Sequence, residues 1–188
     1  YAAYHGHSAI VGKLLTRHVA LIWMADKMKR TPLYLALLSG HLQVTELILR
    51  QLDTEKHGAY SGHIAALKGD LQGLNQGNVH IAVDYQLLPQ HFAATYENSM
   101  ALSKILSFPG VNIDARDASG KSILHFAAAT GATDCLAYLI KEKKLDIVKT
   151  VDMRKKTALH LAAGFDQYLC VAQLANALKE ANVKLDKV

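Results

Sequence analysis

The chain has 188 residues, 51% of them hydrophobic and 20% charged, with a formal charge of +5; this is the balance of one ordered domain with a continuous core and excludes a disordered chain. The longest uncharged apolar run, residues 19–25, is far too short to cross a bilayer, and the opening residues carry no secretory h-region. Only two cysteines occur, Cys135 and Cys170, with no CxxC pair, so the composition excludes a disulfide-stapled secreted domain and points to a reducing, cytoplasmic setting.

Self-similarity organises the rest. Residues 1–15 read as a short first turn, Gly6, and then apolar residues at helical spacing: Ile10, Val11, Leu14 and Leu15. Residues 31–49, 122–140 and 157–175 align beneath one another without gaps, and residues 1–15, 60–74 and 88–106 fit the same unit. The spacing predicts six copies of a helix pair, bounded at about 1–25 (partial), 26–54, 55–82, 83–116, 117–151 and 152–185, with 186–188 opening a further copy or a cap. Both ends of this array are expected to be cut from a longer chain.

Within each copy, the first helix starts behind an N-cap hydroxyl at Thr31, Ser122 or Thr157, and Pro32 and Pro89 occupy a first-turn position where a missing N–H costs nothing. The alanines Ala2, Ala36, Ala65, Ala93, Ala127 and Ala162 keep that helix slim, at steps of 34, 29, 28, 34 and 35 residues. Gly6, Gly40, Gly69 and Gly131 end it, and a second, outer helix follows. One helix pair cannot bury its apolar face, so the copies are expected to stack on their nearest neighbours in chain order. The third copy, with Gly62, Gly73 and Gly77, predicts a short or frayed outer helix. The fourth has Glu97 in place of the glycine and opens VDYQ, so its turn is expected to be atypical.

The unit resembles the ankyrin repeat, whose motif runs from an acidic, Gly-containing finger through T-P-L-H-x-A-A to G-H and I-V-x-x-L-L. The motif histidine falls on His63, His91, His125 and His160, with Tyr34 in its place in the second copy. The resemblance implies an all-α solenoid of stacked helix-turn-helix pairs with finger-like turns. It also implies that the histidines bond loop backbone between repeats, and that a partner protein meets the concave face of finger tips and inner helices. Carried over copy by copy, that face presents Lys27, Met28, Arg30, Lys56, His57, Tyr85, Tyr96, Lys121, Arg154, Lys156 and Phe165. Aromatic, Met and Arg anchors suit a protein interface, and the lysines suit an acidic partner.

Chemistry is not written in the chain. The remaining histidines have no HExxH or paired Cys/His spacing, no phosphate-cradling glycine loop or GxSxG elbow occurs, and no nucleic-acid motif accompanies the basic residues. Cys135 and Cys170 fall where the repeat has core isoleucine or valine, and read as small buried apolar residues. The expectation is a monomeric protein-interaction module with no enzyme activity of its own, no metal, no cofactor, no nucleic acid and no membrane. The alternative is the targeting arm of a larger multidomain enzyme. Its divergent copies and lysine-rich KEKK link at 141–144 are similar to those of a host-directed bacterial effector, which would act in the host cytoplasm.

Overall fold

The computed structural model describes residues 1–55, 58–143 and 145–180. Among these there are ten α-helices and no strand. They run α1 (Ser8–Arg17), α2 (Pro32–Leu38), α3 (Leu42–Glu55), α4 (Ser61–Lys68), α5 (Pro89–Thr95), α6 (Ser99–Ser107), α7 (Ile123–Thr130), α8 (Thr133–Ala137), α9 (Ala158–Gly164) and α10 (Tyr168–Glu180). The all-α solenoid is therefore present, and its local signals act as their chemistry dictates. Thr31 Oγ1 accepts the Tyr34 N–H at 3.3 Å, with Pro32 opening α2 behind it.

The motif histidine of α7 works from both ring nitrogens. His125 Nδ1 accepts the Ser122 N–H at 3.2 Å, closing the first turn of its own helix, while Nε2 meets Lys156 O of the next unit at 3.0 Å. His63 Nε2 makes the equivalent link to Leu87 O at 3.1 Å. These bonds fix the Nε2–H tautomer and tie one unit to the next. Burial lowers the pKa of His63 and of His91 to about 4, so both are neutral at pH 7.

Residues with positive φ end the first helices at Gly6, Gly40, Gly69, Glu97, Gly131 and Asp166. Two of these are acidic where the motif has glycine. Glu97 compensates by capping α8 of the following unit, where its carboxylate accepts the Asp134 N–H at 2.5 Å.

No helix forms over residues 70–80, where a short outer helix is expected; a chain of turns replaces it. Asp70 Oδ1 accepts the N–H groups of Gln72 and Gly73, and the Asn78 side chain bonds Gly73 O at 2.8 Å and the Asn75 N–H at 3.0 Å. Short polar side chains thus take the backbone partners that a helix would need. The segment is well packed: Leu74 and Val79 are buried, and a Cβ on Gly62 would come within 2.6 Å of Asn78 O. Gly62 replaces the motif leucine because the turns press directly on α4.

Inner helices α4, α5, α7 and α9 stack side by side, with α6, α8 and α10 behind them. Their alanines Ala93, Ala127 and Ala162 are fully buried, which permits the close approach. The second unit breaks the row. Stacking in chain order would set α2 beside α4, but α2 lies against α5 and α7, and α3 runs beside α4. Tyr34 stacks on Tyr85 at 4.2 Å between ring centroids and meets Phe126 edge-on at 6.4 Å. The Tyr96 hydroxyl donates to Thr45 Oγ1 at 2.6 Å, and Lys68 pairs with Glu46 at 3.0 Å. The α2–α3 hairpin is folded back across the concave face of the α4–α10 stack. The physical reason lies at the motif position: a histidine reaches the next unit's backbone, whereas the longer Tyr34 puts its hydroxyl on a unit 85 residues away.

Candidate functional site

Fold-back brings distant fingers together. Three of them share one construction, in which an aspartate accepts two N–H groups of its own turn. Asp26 Oδ1 holds Met28 and Arg30, Asp117 Oδ1 holds Ser119 and Lys121, and Asp152 Oδ1 holds Arg154 and Lys156, all at 2.7–2.9 Å. The fourth finger does without glycine, as expected of an atypical turn. Tyr85 and Gln86 take φ of 65° and 58°, strain of a kind that persists only where the surroundings hold it. Tyr85 is held on two sides, by the Tyr34 ring and by the Ala118 N–H on its carbonyl at 2.9 Å.

Between these fingers lies a cleft of about 170 Å³. Met28, Arg30, Tyr85, Lys121, Arg154, Lys156 and Phe165 line it, seven of the residues expected on the partner face. Lys27 sits exposed on the adjacent finger tip. Tyr96 is elsewhere, half-buried, with its hydroxyl spent on Thr45 under α3. Lys56 and His57 lie outside the described residues.

The cations of the cleft are not equivalent. Arg30 is paired with Asp26 at 2.6 Å; the hydrogen bond from the guanidinium holds the Asp26 carboxyl below its usual range and raises Arg30. Lys121 is sunk beneath the cleft. Its Nζ donates to Ser119 Oγ at 2.6 Å and Tyr34 Oη at 3.1 Å, and stands 3.7 Å from Asp152. Burial lowers its pKa, and the carboxylates of Asp117 and Asp152 oppose that fall. Arg154 and Lys156 are exposed and make no ion pair among the described residues; the Arg154 guanidinium reaches only Met28 Sδ, at 3.4 Å. Cations from fingers at opposite ends of the array therefore face one another, and each neighbouring Asp Oδ1 is occupied by its own turn.

Tyr34 is the residue that sequence reasoning did not place in the site. Its signal was the single departure from the motif histidine. Burial raises its phenol well above the ordinary tyrosine range, so it remains a neutral hydroxyl. Cys135 and Cys170 are fully buried, with burial pushing their thiols up to about 12 and about 11, which makes them core residues and poor nucleophiles. Among the described residues no group of three His, Cys, Asp or Glu side chains is placed to hold a metal ion, and no helix is long and apolar enough to cross a membrane.

Comparison with known proteins accords with this architecture. Along 193 aligned residues the chain is 27% identical to the nuclear factor NF-kappa-B p105 subunit of Gallus gallus; the match covers 92% of the chain and 19% of that protein, so the chain spans about a fifth of its relative's length. The family model for ankyrin repeats in three copies matches residues 90–186, just over half of the chain. With the motif histidines, slim inner helices and finger turns all in the places that family requires, the chain belongs to the ankyrin repeat family.

Proposed function

We propose that this chain binds an acidic segment of a partner protein in the finger cleft between α2 and the fifth and sixth fingers. Ankyrin repeats are protein–protein interaction modules, and the relative is by its name a subunit of an assembly. The observation that carries the finer reading is electrostatic. Arg154 and Lys156 project beside Arg30 and buried Lys121 without carboxylates of their own, against the apolar walls of Phe165, Leu161 and Met28. Arg30 and Lys121 are offset by Asp26 and Asp152, so the two unpaired cations Arg154 and Lys156 carry the attraction for an anion, while the apolar walls suit an apolar side chain beside it.

A fluorescent Glu/Asp-rich peptide containing one phenylalanine tests this by anisotropy. Saturable binding is expected, weakening about tenfold on Arg154→Glu with Lys156→Glu, and weakening with salt as exposed charges are screened. Charge reversal of Lys13, away from the cleft on α1, should change nothing. Equal loss at Lys13 and at the cleft would reduce the attraction to net charge alone and sink the proposal.

A further inference from the structure

We infer that the concave groove over α5 and α7 is a receptor for an amphipathic helical hairpin, and that the α2–α3 hairpin is its resident, autoinhibitory occupant. The inference deepens the partner-binding reading and rests on it only for its biological consequence. In a solenoid the inner helices and fingers form one continuous face; here α2 covers it along α5 and α7, and α3 covers the end of α4. The seat is specific. Tyr34 inserts between Tyr85 and Phe126 and places its hydroxyl between Ser119 and the ammonium of Lys121, whose side chain is only 11% exposed.

The hairpin's polar attachments are Thr45 with Tyr96 and Glu46 with Lys68, and its Ala36, Leu37 and Val44 are buried in one core with Phe92 and Phe126; the stack beneath also has fastenings of its own. His63 bonds Leu87, His125 bonds Lys156 and Asn98 bonds Ala66, and none of these passes through α2. On this inference those fastenings hold the row while the groove is empty, at the cost of exposing the apolar residues that the hairpin covers. What the groove accepts is defined by what fills it: a helix pair with an aromatic hydroxyl on one helix and a small hydroxyl residue on the other, as Tyr34 on α2 and Thr45 on α3. A partner of that kind competes with residues 29–55 for the same face, and the basic cleft beside it is the part left open while the hairpin is seated.

The test uses the full chain and a Tyr34→Ala/Thr45→Glu double variant, each carrying spin labels on Lys27→Cys and Met153→Cys, both exposed fingertip positions. Wild type should give one short label-to-label distance, and the variant a second, longer population, with amide protection of α9 and α10 unchanged. The probe is a fluorescent peptide of residues 29–55. It should bind the variant at least tenfold more tightly than wild type, whose groove is filled. A peptide that binds both chains equally, or neither, overturns the receptor; loss of α9–α10 protection in the variant would show the hairpin to be part of the stack and overturn the autoinhibition. Acidic-peptide titration is a separate measurement, so failure of the cleft and failure of the groove are distinguishable.

Discussion

Helices α2 and α7 carry the same motif and have opposite fates. In α7 the third helical residue is His125, whose ring closes its own first turn and bonds the carbonyl of Lys156, so the unit is fastened to its successor. In α2 the same place holds Tyr34, which gives up the cap bond and finds partners at Tyr85, Ser119 and Lys121. One side chain's length and chemistry separate a unit that extends the row from one that folds over it. The repeat motif thus specifies a helix pair, and the departure at Tyr34 accompanies the one pair that folds over the row.

Substitutions can break this contrast at several levels. The largest effect is expected where the two helices meet. Phe126 is fully buried beneath Tyr34 and against His91, and Phe126→Ala should cost about 3–5 kcal/mol in urea unfolding through lost burial and the cavity left behind; a cost below about 1 kcal/mol would mean that α2 is not seated there. Acid acts next, through the buried histidines of the stack. His63 and His91 have pKa values lowered by burial from 6.5 to about 4. The unfolded chain takes up their protons below 6.5 and the folded chain only near 4, so stability is complete above 6.5 and falls as pH drops through that window. The slope approaches about 1.4 kcal/mol per pH unit for each histidine, and replacing either with glutamine should flatten the pH dependence of the urea midpoint.

Gly62→Ala comes third, at about 1–3 kcal/mol, because its Cβ meets Asn78 backbone that cannot swing aside. If thermal melts found it neutral, the turns over 70–80 would not be pressed on α4. Smallest is Tyr34→Phe, which keeps the ring stacking and removes the hydroxyl from Ser119 and Lys121, for about 1 kcal/mol. The amine of Lys121 should then react faster with acylating reagents, and an unchanged rate would remove the hydroxyl from the account of the seat.

The stack was legible in sequence because each of its signals is local. Five of the six alanines are buried and Ala2 is half-buried, and the left-handed residues recur at 6, 40, 69, 97, 131 and 166, with the same steps as the alanines. At Glu97 the sequence shows a departure but not its purpose, since the cap it provides lies on Asp134 of the next unit. The missing outer helix after Asp70 was half legible: its glycines weaken a helix, but only the packing of Asn78 on Gly62 explains why ordered turns replace it. The cleft residues were found one by one because finger positions are fixed by the motif. Their convergence was not, since Met28 and Arg154 are 126 positions apart and no periodicity relates the second finger to the sixth. Tyr96 does not join the cleft, because its hydroxyl bonds Thr45 of α3, a contact that no periodicity foretells.

The fold-back also has a kinetic side. Repeat arrays are quick to fold because each unit needs only its neighbour and order spreads along the chain. The seat of Tyr34 cannot exist until Tyr85 and Phe126 are both in place, and the Met28–Arg154 contact waits for the sixth finger. During synthesis the hairpin leaves the ribosome first and its seat much later. For that interval the apolar side of α2, with Leu33, Leu37 and Leu38, has no groove to enter. Docking of α2 on Tyr85 and Phe126 therefore depends on residues made long after it.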